Sequence, residues 1–279
     1  MHSDRYFRHD RHLNVLAVIE EAQTARQCLT LAAMACRIDR DAELTALHIE
    51  VDPAHISTAP EEISIQRLRV RSEGTSEERA RQAHQAFDQW RAFTGCRNAK
   101  WLEMTGMVER TLGQQAGFAD LLALARPHNL DSGDALHAAI FDTGKLVLFV
   151  PPPASRQHAF NDHVVVVWRS NAATERALQH SMPWIRGANR VTILCVDEAQ
   201  PGSDALEMLR DEGIAPEFHQ SQTVSGEHAG QRVLREATEI GADLLVVGAY
   251  RFGMILEWVF DGMTHRILSD TELPVLLMH

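Results

Sequence analysis

Short, continuously apolar runs alternate along this chain with segments whose apolar residues recur every three or four positions. The runs at 13–19, 43–51, 100–104, 121–125 and 146–150 are too short for helices and are bounded by polar residues, so they read as buried strands. Between them, Ala25, Cys28, Leu29, Ala32, Ala33 and Cys36 keep helical spacing over 24–38. Ala80, Ala83, Phe87 and Trp90 line one face of a charged helix over 75–93, and shorter helices are expected at 108–116 and 134–141. After the proline-led stretch 151–162 the order begins again. Strands are expected at 163–168, 190–196, 216–219, 244–248 and 274–278, with helices at 172–186, 204–211, 226–240 and 257–268. Gly241 stands where a helix end favours a left-handed residue.

Both halves therefore read βαβαβαβαβ. Strands without polar alternation, separated by helices, imply a parallel sheet covered on both faces. A repeated phrase supports the division: Ala119-Asp120-Leu121-Leu122 in one half corresponds to Ala242-Asp243-Leu244-Leu245 in the other. This spacing is far longer than the roughly 20–50 residues of a solenoid repeat and points to a duplicated domain. The expectation is an α/β protein of two tandem Rossmann-like domains, residues 1–153 and 160–279, each a five-stranded parallel sheet flanked by helices. Ligands of such sheets bind outside the carboxyl ends of the strands, where the strand order reverses. In the second half this directs attention to the loops after Trp168, Val196 and Gly248.

The 279 residues are 45% hydrophobic and 23% charged, an ordinary globular balance. A net charge of -11 argues against a polyanionic partner such as nucleic acid. No apolar stretch approaches the ~20 residues of a membrane span, and the first residues lack the apolar centre of a signal peptide. The cytoplasm is the expected compartment. Cys28 and Cys36 are about 12 Å apart along one expected helix, beyond the ~7 Å Cα separation of a disulfide. With Cys96 and Cys195 also isolated in sequence, four reduced thiols are expected.

The sequence contains no G-x-S-x-G elbow, no Walker loop, no H-E-x-x-H and no paired-carboxylate motif, so no enzyme is expected. His9 and His12 share a face only if their polar terminus is helical, and no metal is assigned to them. His48 lies within an apolar strand and reads as a core histidine with its hydrogen bonds satisfied. Glu61, Glu62, Glu77 and Glu78 read as solvated; Trp168, Trp184 and Trp258 read as packing residues.

The loop after 244–248 carries the remaining chemistry: Gly248-Ala249-Tyr250-Arg251-Phe252-Gly253, and later Asp261-Gly262-Met263-Thr264. With this turn, the ADLL strand, the element order and the proline-led PVLLMH ending, nearly the whole chain resembles the universal stress protein family, in particular its tandem two-domain bacterial members. The resemblance implies a phosphate cradle of the form G-x2-G-x9-G-(S/T), and an acidic residue at the end of the first strand that holds the sugar of ATP. Gly248 matches the first glycine, whereas Arg251 and Asp261 stand at the second and third, followed by Gly262. Arg169 stands in place of the acidic residue. Arg251 occupies space a backbone–phosphate contact would use. Asp261 near a phosphate would repel it by about 4 kcal/mol at ~4 Å and an effective dielectric of ~20, and Arg169 has no hydrogen-bond acceptor for a ribose hydroxyl. In the first half, Arg126-Pro127-His128 replaces the loop, and Pro127 lacks a backbone donor.

The resemblance thus implies a non-enzymatic cytoplasmic stress-response protein that acts through protein partners, with its nucleotide cradle lost and no cofactor expected. The alternative is ATP or AMP held in the second domain by Gly248, Ala249, Arg251, Gly262, Met263, Thr264, Arg169 and Val196. It also implies that Leu146, Val147, Leu148 and Phe149 pair with Val275–Met278, two exposed sheet edges, as an internal pseudo-dimer. Flanking helices would supply a homodimer contact, and no membrane partner is expected.

Overall fold

The computed structural model describes residues 12–51, 70–71, 74–126, 132–153, 159–197, 203–249 and 262–279. The loop expected after the second strand, Trp258, and most of the glycine-bearing loop with its Arg251 and Asp261 lie outside the described residues. Two compact units divide the chain, His12–Thr143 and Gly144–His279.

The first unit runs β1 (Asn14–Val18), α1 (Ala22–Ala35, extended by a 3-10 turn at Cys36–Ile38), β2 (Glu43–Val51), α2 (Ser76–Thr94), β3 (Ala99–Gly106), α3 (Val108–Ala116), β4 (Leu121–Ala125) and α4 (Ser132–Phe141). Its strands lie in the order β3-β2-β1-β4, all parallel. The chain winds outward from β1 to β3 and then returns to the far side of β1, placing the switch point between β1 and β4. Small residues on α1 and α2 (Ala25, Ala32, Ala80, Ala83) are buried where the helices lie on the sheet, with Phe87 and Trp90 beside them. Thr75 and Glu78 form a reciprocal capping box that starts α2, and Gly95 at φ 68° ends it.

The second unit runs β5 (Leu146–Val150), β6 (His163–Val167), α5 (Ala172–Arg186), β7 (Arg190–Val196), α6 (Ser203–Asp211), β8 (Glu217–Ser221), α7 (Ala229–Glu239), β9 (Leu244–Gly248), α8 (Met263–Asp270) and β10 (Val275–Met278). The strand order is β5-β10-β9-β6-β7-β8, with the switch point between β6 and β9. All neighbours are parallel except β5 and β10, which pair antiparallel with Val275 opposite Phe149, Leu276 opposite Leu148 and Leu277 opposite Val147. The closing strands of the two repeats thus meet as the resemblance implied. With β9 on its other side, β10 is paired along both flanks. The sequence repeat counts Leu146–Val150 with the first half, whereas the compact division places β5 with the second unit.

The repeated aspartate has one structural task in both units. Asp120 Oδ2 accepts the N–H of Asn14 at 2.9 Å, and the Asp120 N–H returns to the Asn14 carbonyl at 2.8 Å. Asp243 does the same to His163, accepting at 3.2 Å and donating at 2.9 Å. The two carboxylates thereby close the open amino ends of β1 and β6. No described helix is long and apolar enough to cross a membrane.

Two buried histidines are held neutral. Nδ1 of His48 donates to the Ile19 carbonyl at 2.6 Å. His163 donates from Nδ1 to Gly241 at 3.2 Å and accepts the Thr192 hydroxyl at Nε2, 2.8 Å away. Burial lowers the pKa of both, and of His180, where Lys145 and Arg176 act in the same direction. The unfolded chain takes up these protons below about pH 6.5 while the folded chain resists them, so stability falls as pH drops through that range. The melting temperature is expected to decline between pH 7.5 and 5.5, each group contributing up to about 1.4 kcal/mol per pH unit below its unfolded value. A flat profile would contradict this.

Candidate functional site

The carboxyl ends of β6 and β9 flank the switch point of the second unit, and the residues there explain one another. Asn171 caps α5, its Oδ1 accepting the Thr174 N–H at 3.0 Å. Its own N–H and Nδ2 both donate to the Arg169 carbonyl, at 2.8 and 3.1 Å. This knot draws the first turn of α5 against the end of β9. A Cβ on Gly248 would lie 2.6 Å from the Thr174 nitrogen and 2.9 Å from its Cα. Gly248 is therefore demanded by helix–strand packing. Because backbone cannot rotate away, Gly248→Ala is expected to cost about 1–3 kcal/mol in urea unfolding; an unchanged midpoint would refute the close approach.

Beyond Gly248, Ala249 is fully buried, donating to Met278 at 2.8 Å and accepting from His279 Nδ1 at 3.0 Å. Thr264 Oγ1 donates to the Gly248 carbonyl at 3.3 Å, which brings the start of α8 to the same end of the sheet. Gly262, the N-cap of α8, offers no side-chain cap, and a Cβ there would meet nothing within 4 Å. Its φ of −77° is open to any residue. Helix α8 thus presents uncapped first-turn N–H groups beside Gly248, a geometry that favours an anion. Helices α7 and α8 approach closely at Met263, the first residue of α8: a Cβ on Gly230 of α7 would come within 2.8 Å of its carbonyl and of Arg266 Cβ.

At the end of β6 the ladder continues one residue further, through the Trp168 N–H to the Leu194 carbonyl at 2.8 Å. Trp168 is 1% exposed, and its indole N–H is buried without an acceptor among the described residues. The side chain that ends the first strand is therefore Trp168, and Arg169 comes one residue later. Val196 is buried at the end of β7. The structure brings Gly248, Ala249, Gly262, Met263 and Thr264 together around β9 and α8, with Trp168 and Arg169 across the switch point and Val196 at the next strand end.

Sequence reasoning missed a polar cluster where β7 and β8 end. Asp197 takes a left-handed φ of 60°, and its carboxylate accepts the Thr223 N–H at 2.8 Å and the Thr223 hydroxyl at 3.0–3.1 Å. Glu236 on α7 is 7% exposed. It accepts from Ser221 at 2.7 Å and from His219 Nε2 at 2.6 Å, and lies 2.9 Å from Arg232 Nε. Burial works to raise the Glu236 carboxyl, but the bonds from Ser221 and His219 and the charge of Arg232 prevail and hold it below the ordinary range. Ser221 and His219 sit on opposite oxygens of one carboxylate, and Ser221 also accepts from Arg232 at 2.6 Å. This is not a nucleophile–base pair, because the hydroxyl proton goes to glutamate rather than to imidazole. The only sequence signal was the i, i+4 spacing of Arg232 and Glu236.

No protein-family model matches the sequence, and no curated protein matches it as a relative. Among solved structures, a universal stress protein from Archaeoglobus fulgidus DSM 4304 superposes with a TM-score of 0.63 at 13% identity, over 94% of this chain and 95% of that one. A functionally unknown protein from Pseudomonas aeruginosa PAO1 does so at 0.52 and 15% identity, over 95% and 92%. With each half built on the same βα order around its own switch point, the chain has the tandem two-domain fold of a universal stress protein.

Proposed function

We propose that the protein is a non-enzymatic stress-response protein of the cytoplasm that acts by engaging protein partners, its strand-end cleft remodelled away from a triphosphate. The observation carrying this reading is the buried indole of Trp168 at the carboxyl end of β6. It supplies neither a carboxylate for a ribose hydroxyl nor open space at the switch point. Gly248, committed to Thr174, supports the same reading.

The second reading is a nucleotide-responsive regulator holding ATP or AMP through Gly248, Ala249, Arg251, Gly262, Met263, Thr264, Arg169 and Val196. It is favoured by Gly262, a glycine that neither its φ nor its surroundings require, at an uncapped helix start. A thermal-shift titration with Mg-ATP and with AMP separates the two. Ligand at 100 times its dissociation constant adds about 2.7 kcal/mol, several degrees for a unit of this size. The first reading expects no shift and no nucleotide in the native mass spectrum of the purified protein. A shift of several degrees, or a co-purified adenine nucleotide, would install the second.

A further inference from the structure

Two of the four thiols leave the same end of a helix pair in the first unit. α1 and α2 each run from the carboxyl end of one parallel strand to the amino end of the next, so they descend in the same direction. They pack on each other, and Trp90 Nε1 donates to Thr30 Oγ1 at 3.2 Å across the contact. Cys36 follows Thr30 by six residues and Cys96 follows Trp90 by six, so both emerge at the lower end of the pair. Cys36 opens the 3-10 turn after α1. Cys96 lies just past Gly95, its N–H held by Thr94 Oγ1 at 3.4 Å. Both are half-buried and reduced, whereas Cys28 and Cys195 are fully enclosed. The two are near enough to sense each other: the Cys36 thiol is pushed up to about 12 by burial first, and then by Cys96 and Asp39.

We infer that Cys36 and Cys96 are a redox pair that closes into a disulfide on meeting a low-molecular-weight disulfide, stapling the end of α1 to the end of α2. The Cys96 thiolate attacks the small disulfide, forming a mixed disulfide and expelling one thiolate. The Cys36 thiolate then attacks the Cys96 sulfur, forming the internal S–S bond and expelling the second. Two electrons pass to the small disulfide, and the two protons lost by the cysteines are taken up by the two thiolates released. The half-buried Cys36 suits the resolving step, because a thiol of high pKa attacks slowly from solution but gains from sharing one end of the helix pair with its target.

The test treats the reduced full-length chain with oxidised glutathione, blocks remaining thiols with N-ethylmaleimide and reads intact mass and peptide map. The expected product has lost the mass of two hydrogens, carries two maleimides after denaturation, and yields a Cys36–Cys96 cross-linked peptide. Cys36→Ser should instead retain glutathione on Cys96. The inference is overturned if the wild-type chain carries only glutathione adducts, leaves all four thiols free, or cross-links between chains. It also fails if Cys36→Ser loses two hydrogens as the wild type does.

Discussion

Replacing Leu276 by aspartate is expected to unfold the second unit at neutral pH. Leu276 is 0% exposed, at the centre of β10, with Leu148 of β5 on one side and Val246 of β9 on the other. Removing the leucine alone costs about 2–5 kcal/mol. The carboxyl group that takes its place must either lie charged among apolar neighbours or take up a proton and still lack acceptors for its polarity. The combined loss exceeds about 5 kcal/mol, which matches much of the 5–15 kcal/mol that holds an ordinary domain together. Circular dichroism in urea and the elution volume together report the result. Leu276→Met, which conserves volume, should cost less than about 1.5 kcal/mol. An aspartate variant with wild-type stability and hydrodynamic size would show that β5 and β10 do not pair in solution.

Glu236→Ala is expected to cost about 3–5 kcal/mol, because it strands buried polar groups rather than merely removing one contact. Without the carboxylate, Ser221 loses its acceptor, His219 its partner and Arg232 its nearest counter-charge. Arg232 keeps its bond to Ser221 and, among the described carboxylates, a longer approach to Glu227 at 3.7 Å. The pH dependence carries a sign. A carboxyl held below its ordinary range stabilises the fold fully above the unfolded value of about 4.3, and that contribution vanishes as pH falls through the folded value. The gap in unfolding free energy between wild type and Glu236→Ala should therefore be widest near neutrality and narrow in acid. A gap that is absent at pH 7 would mean the cluster is held by its backbone and not by the glutamate.

Much of the architecture was legible because its strands are apolar on both faces. A fully covered parallel strand leaves no polar alternation to confuse with a solvated one, and the bounds read for α3, α5, β2, β4, β5, β7 and β9 coincide with those observed. Helix α7 starts later than expected, at Ala229, because Gly226 adopts φ 84° and Glu227 turns its carboxylate back to the Val224 N–H at 3.1 Å. β8 extends to Ser221, where a polar ending disguised a strand residue that is buried by its bond to Glu236.

The site was legible in outline only. Gly248 announced itself, but a glycine pattern does not say whether the missing side chain makes room for a ligand or for a helix. Here Thr174, seventy-odd residues earlier in sequence, answers that. The burial expected of Trp168 and Trp184 is observed at 1% exposure for each, and so is the satisfied core role of His48. The Asp197–Thr223 and Glu236 clusters were missed because their members are spread over separate elements, and the i, i+4 spacing of Arg232 and Glu236 taken alone looks like a solvated pair.

The pairing of β5 with β10 separates heredity from folding in this chain. The sequence repeat ends with β5, yet the compact unit Gly144–His279 begins with it. A cut placed by ancestry, near residue 160, would strip the C-terminal body of its outermost strand and bare the flank of β10. A cut placed by cohesion, before Gly144, would leave that flank covered. The first repeat thus cedes its closing strand to the body built by the second, which keeps its own.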